Sequence, residues 1–107
     1  MSNLEKAFAF QVRALKLPEP RRDTKLNDNQ KRRWRYDFIF DDAKVIVEVE
    51  GGTFVKGRHI RGTAFNSDCH KYAFAMLQGY IVLRIDTIMV RDGTGVDYLS
   101  KLLELRS

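Results

Sequence analysis

The chain has one cysteine, Cys69, and two prolines, Pro18 and Pro20, in 107 residues. A lone cysteine excludes an internal disulfide and a thiolate metal centre. Cys69 falls within an apolar helical pattern, where a buried, inert thiol is expected. No apolar run approaches the roughly 20 residues that span a bilayer. The opening Met1-Ser2-Asn3-Leu4-Glu5-Lys6 has no apolar signal core. A cytoplasmic location with no membrane association is therefore expected. Repeats and low-complexity tracts are also missing. What remains, 44% hydrophobic and 31% charged residues, is the balance of a soluble folded chain rather than a disordered one. The length suits a single domain, residues 1–107, with one core.

Acidic residues are scarce where basic ones gather. Lys16 to Arg35 holds eight bases against three acids, an excess that equals the +5 of the whole chain. Localised positive charge of this kind suits a polyanionic partner.

Ser2 followed by Glu5 is a capping-box pattern. Leu4, Phe8, Val12 and Leu15 then recur at helical spacing, so a helix is expected to run to about Leu17, where Pro18 and Pro20 stop it. Residues 18–33 are basic and poor in apolar side chains, and read as a loop or arm whose length implies a purpose. Tyr36–Phe40 and Lys44–Glu50 read as the strands of a hairpin closed by Asp41-Asp42. Gly51-Gly52 ends the second strand, and a basic loop follows: Lys56, Arg58, His59, Arg61. Thr63–Gln78 is expected to be a helix with Thr63 as its cap, Gly79 as its stop, and an inward stripe of Phe65, Cys69, Tyr72, Ala73 and Met76. Tyr80–Ile85 is expected as a strand parallel to Lys44–Glu50 through a βαβ crossover. A final helix covers about 96–105. The expected fold is α/β: a small mixed sheet, hairpin plus crossover, flanked by helices.

The informative residues are acids. Strand side chains alternate, so Val45, Val47 and Val49 share one face while Ile46, Glu48 and Glu50 share the other. Glu48 and Glu50 lie roughly 6.6 Å apart along the strand, and Asp37 in the neighbouring strand can join them. Three carboxylates at close quarters repel unless a cation or a proton neutralises them. Hard oxygen ligands favour Mg²⁺ or Mn²⁺, ions that activate water and offset charge on a phosphate. The simpler account of Val47-Glu48-Val49-Glu50 is a half-exposed strand whose glutamates face water. The combination favours chemistry: acids in adjacent strands, then Gly-Gly, then a basic loop with a histidine.

Asp37, then Glu48-Val49-Glu50 at a strand end, then helix 63–78 and strand 80–85, resembles the PD-(D/E)XK nucleases and their restriction-endonuclease-like fold. The run Val49-Glu50-Gly51-Gly52-Thr53-Phe54 with His59 downstream resembles the very-short-patch-repair endonuclease branch. So does Asp68-x-x-Lys71 followed by Leu77-x-Gly79-Tyr80-x-Val82-Leu83-Arg84. The resemblance covers about residues 34–86. It implies Asp37 and Glu48 as metal ligands, joined by the main-chain carbonyl of Val49, and hydrolysis of a DNA phosphodiester by metal-activated water. Glu50 stands where the superfamily pattern has lysine, so another cation must take that part. Lys71 is one candidate, although about 100° per residue puts it roughly 150° from the centre of the expected apolar stripe. His59, Lys56 and Arg61 are alternatives. Glu5 is a further candidate, since junction-resolving members use an acid on the first helix; its capping role explains it equally well.

Arg32, Arg33 and Arg35 flank Trp34 just before Asp37 and, with Lys56, Arg58 and Arg61, are expected to contact phosphates. Trp34 could stack on a base, but a large aromatic at a strand entrance more often packs inward. Nothing resembles a base-reading module, so cutting directed by DNA structure is expected, with a homodimer as one way to cut two strands. A Holliday-junction resolvase, a repair nickase, and a catalytically inactive nucleic-acid-binding protein are the alternatives.

Overall fold

The computed structural model describes residues 2–51 and 63–107. Helix α1 spans Asn3–Ala14 and opens on Ser2, whose hydroxyl accepts from the Glu5 amide at 3.1 Å. It stops at Ala14, short of Leu17. Lys16 turns left-handed, with φ 58°. The Leu17 and Lys16 amides then donate back to the Val12 and Arg13 carbonyls, closing the helix end before the prolines are reached.

The basic segment 18–33, expected to be a loop or arm, contributes a strand. β1 (Arg21–Thr24) pairs antiparallel with β2 (Tyr36–Phe40). The rest of the segment is tied down by its own polar groups. The buried Gln30 accepts from the Leu26 amide and donates to the Arg32 and Trp34 carbonyls. Arg21 grips Asp41 through two nitrogens, at 2.6 and 2.9 Å, and also donates to the Lys25 and Leu26 carbonyls.

β2 forms the expected hairpin with β3 (Val45–Glu50). Helix α2 (Thr63–Leu77) follows, so Thr63 lies inside the helix. Gly79 ends it at φ 91°, with the Tyr80 amide donating to the Ala75 carbonyl. A left-handed residue is needed there, and glycine adopts that conformation without steric cost. β4 (Ile81–Asp86) then pairs parallel with β3. Two helices complete the chain. The five-residue α3 (Thr87–Arg91) was not expected; it is capped by Asp86, which accepts from the Met89 amide. α4 covers Thr94–Leu105. The sheet order is β1-β2-β3-β4, and among the described residues no helix is long and apolar enough to cross a membrane.

The sheet separates two unequal cores. On one face Phe38, Phe40, Val45 and Val47 pack with Phe8 and Val12 of α1 and with Val96, Leu99 and Leu103 of α4. On the other face Tyr36, Ile39 and Ile46 meet, among the described residues, Leu26 and Ala75 as buried partners. The second face is covered by α2, and there the polar groups collect.

Candidate active site

β3 has two halves. Val45, Ile46 and Val47 are fully buried, the apolar pattern of a strand covered on both faces. Glu48 is also buried, with 5% of its surface exposed, and a carboxylate in that position requires partners. Register explains how it obtains them. The last paired rung of the hairpin is Phe38↔Val47, so the next step places Asp37 opposite Glu48. There the two acids exchange bonds with each other's strand. The Asp37 amide donates to Glu48 Oε2 at 2.8 Å, and the Val49 amide donates to Asp37 Oδ2 at 2.8 Å. Each carboxylate is therefore fixed by one oxygen. The other oxygen of Glu48, Oε1, accepts from Lys71 Nζ at 2.6 Å. Asp37 Oδ1 has no hydrogen bond among the described residues.

Burial pushes the Asp37 and Glu48 carboxyls above their ordinary range. The Val49 amide only partly offsets this for Asp37, and Lys71 only partly for Glu48. The pair is thus under-compensated as it stands, the condition that a bound cation relieves.

Lys71 does not curl over the edge of α2. It lies on the face turned to the sheet, with 13% of its side chain exposed. The expected inward stripe is corrected. Phe65 and Met76 are 53% and 57% exposed, and Cys69 and Ala73 are exposed too. The inward face instead carries Ala75, fully buried, flanked by Ser67, Lys71, Phe74 and Gln78. A helix laid over a charged site must turn polar groups inward, so its apolar residues do not mark its buried side. Tyr36 fixes the position of α2, its hydroxyl donating to the Lys71 carbonyl at 2.8 Å. Burial and the nearby Glu48 push that hydroxyl's pKa up to about 12.

Glu50 points to the same face but is held differently. Its Oε2 accepts from Arg84 Nε at 2.9 Å and lies 3.2 Å from the Tyr72 hydroxyl. Tyr72 and Arg84 are the site residues that the sequence pattern did not single out. Tyr72 falls within the expected apolar stripe. Arg84 carries a signal in the sequence, as the end of the Leu77–Arg84 stretch that bears the resemblance, and in the structure it is the register partner of Glu48. The Glu5 amide donates to the capping Ser2 hydroxyl, and its carboxylate lies within electrostatic reach of Asp37. Burial first, then Asp37, raises its carboxyl.

The expected phosphate contacts divide. Arg32 and Arg33 are exposed, with the Arg32 guanidinium 5.7 Å from the Trp34 ring. Arg35 folds back onto β1, donating to the Asp23 carboxylate at 3.1 Å and to its carbonyl. Trp34 is part of the second core, tilted against Phe74 at 6.0 Å and donating to Ser67 Oγ. Lys56, Arg58, His59 and Arg61 lie outside the described residues.

Among the described residues no group of three or more His, Cys, Asp or Glu is arranged around a single metal position. What stands together is two carboxylates, Asp37 and Glu48, a number that suits Mg²⁺, which is commonly held by one or two carboxylates and keeps several waters. The apolar groove lined by Leu83, Met89, Tyr98 and Leu105 lies on the opposite face of the sheet, away from these groups.

No family model matches the chain, and no curated protein matches it. Among solved structures it is similar to the catalytic domain of the homing endonuclease I-Bth0305I. The TM-score is 0.69 over 98% of this chain and 96% of that one, at 16% identity. The likeness is one of fold: a mixed four-stranded sheet flanked by helices, shared with a nuclease catalytic domain.

Proposed function

We propose that this protein is a divalent-metal-dependent DNA endonuclease of the PD-(D/E)XK type, akin to the very-short-patch-repair branch. One observation carries the reading: Asp37 and Glu48 stand opposite each other, each anchored through one oxygen to the other's strand, with Lys71 2.6 Å from Glu48. A half-exposed strand with solvated glutamates would not bury Glu48 or bring a lysine from another element onto it.

Asp37, Glu48 and the Val49 carbonyl would hold Mg²⁺ or Mn²⁺. When bound, the ion supplies activation of water and offsets charge developing on the phosphate. The protein's part is positional. The strand-to-strand bonds hold one oxygen of Asp37 and one of Glu48 in place, so only the second oxygen of each would have to adjust to a cation. Lys71 balances the charge of Glu48, and its ammonium would remain beside the cluster with an ion bound. It is the residue that stands in for the lysine replaced by Glu50. Arg32 and Arg33 supply the sequence-independent phosphate contacts.

The test is incubation with linear duplex, single-stranded and four-way-branched DNA in Mg²⁺, Mn²⁺ or EDTA. Cutting in either metal and none in EDTA supports the reading, and the preferred substrate separates resolvase, nickase and general nuclease. Tight DNA binding without cutting in either metal overturns it in favour of an inactive binding protein.

A further inference from the structure

Glu50 occupies the motif lysine's place, two residues beyond a candidate cation ligand and on the same sheet face. Left free, it would turn toward the ion as a third carboxylate. The structure holds it back. Arg84 Nε and the Tyr72 hydroxyl both meet Glu50 Oε2, at 2.9 and 3.2 Å. The Tyr72 oxygen also lies 3.4 Å from Glu48 Oε1, the oxygen that Lys71 holds. A hydroxyl has one proton, so Tyr72 can donate to only one of the two glutamates at a time. Arg84 sits with its guanidinium 5.0 Å from the centre of the Tyr72 ring. Lys71 Nζ lies 4.9 Å from the Tyr36 ring centre and 5.7 Å from that of Tyr72. The ammonium that bonds Glu48 is thus also attracted to two aromatic faces, which retain it at the site when Glu48 turns elsewhere.

We infer that Tyr72, braced by Arg84, is a positioning residue that assigns the two glutamates different roles: Glu48 to the cation, Glu50 to Arg84. The inference rests on the nuclease reading of Asp37 and Glu48. With Glu48 Oε1 given over to a cation, the Tyr72 proton would be left to Glu50 alone and would hold it against Arg84. This keeps the ion's remaining positions open to water and phosphate, which an added carboxylate would fill. The arrangement exchanges cation affinity for turnover.

That exchange gives a signature distinct from structural damage. Tyr72→Phe keeps the ring and its cation contacts, changes no charge and removes only the hydroxyl. Mn²⁺ affinity is measured calorimetrically on the intact protein, and kcat and KM for DNA are measured in parallel. Tyr72→Phe is expected to bind Mn²⁺ about three- to tenfold tighter, the range of one hydrogen bond, and to cut about tenfold more slowly at unchanged KM for DNA. Arg84→Lys keeps the charge and loses the fork geometry, and is expected to shift both quantities in the same directions by less. Tyr72→Phe that binds Mn²⁺ no more tightly than the wild type overturns the inference, whether affinity is unchanged or falls together with thermal stability. A wild type that binds Mn²⁺ but cuts nothing defeats the nuclease reading alone, because the affinities still decide the role of Tyr72. A wild type that binds no Mn²⁺ overturns both.

Discussion

The two halves of β3 obey opposite rules. Val45, Ile46 and Val47 are buried in apolar surroundings on both faces of the sheet. Glu48 is almost as buried, and it is held by polar partners: a backbone amide, an ammonium and a tyrosine hydroxyl. The first half stabilises the fold. The second half places charge in a low-dielectric setting and is only partly compensated, since burial raises both Asp37 and Glu48 despite their partners. The difference teaches that the strand changes from apolar to charged where the hydrophobic pairing of the hairpin ends, one rung past Phe38↔Val47.

Substitutions that separate the halves should separate activity from stability. The largest effect is expected from Asp37→Asn: cutting falls about a thousandfold or more, the scale of losing a metal ligand, while the fold is kept because an amide oxygen can still accept from Val49. Lys71→Met should lower cutting about a hundredfold. It should also destabilise by about 3 kcal/mol, because it leaves the buried Glu48 carboxylate without its cation; rates on the folded fraction and a denaturant titration report the two separately. In the apolar half, Ile46→Ala should cost about 2–5 kcal/mol of stability by leaving a cavity, with the cutting rate per folded molecule unchanged.

The pH dependence sharpens the same contrast. The folded-state pKa of Asp37 is raised, so between its unfolded and folded values the native state binds more protons than the unfolded one. Stability then falls as pH rises through that window. Asp37→Asn removes this contribution. The cation-free variant should melt at a temperature equal to the wild type's in mild acid and about 2 °C or more above it near neutrality. A difference that shrinks as pH rises would show that burial does not disfavour the charge. Smallest in effect, Gly79→Ala should cost about 1 kcal/mol, because the helix end at φ 91° strains any side chain; urea unfolding measures it.

Much of the fold was legible from pattern. The alternation in residues 44–50 located the hairpin's second strand and put Glu48 and Glu50 on one face, and Gly79 marked the end of α2. What escaped did so for physical reasons. β1 is a short edge strand of sequence Arg21-Arg22-Asp23-Thr24 with no apolar alternation, held by polar contacts such as Arg21 with Asp41 and Arg35 with Asp23. Part of what looks like a charged arm for a partner is therefore internal structure. α3 is one capped turn, too short for periodicity to register. The orientation of α2 was misjudged because hydrophobic spacing assumes an apolar interior, and α2 covers a polar one. The same assumption hid Tyr72 among packing residues and made Lys71 look remote.

The central claim is that Asp37 and Glu48 together hold the cation on which cutting depends. It is tested most directly by single-turnover cleavage of supercoiled DNA in Mg²⁺ by the wild type, Asp37→Asn and Glu48→Gln, with folding matched by circular dichroism. The account predicts metal-dependent cleavage by the wild type and its loss in both variants. Cleavage that persists at the wild-type rate in either variant would contradict it.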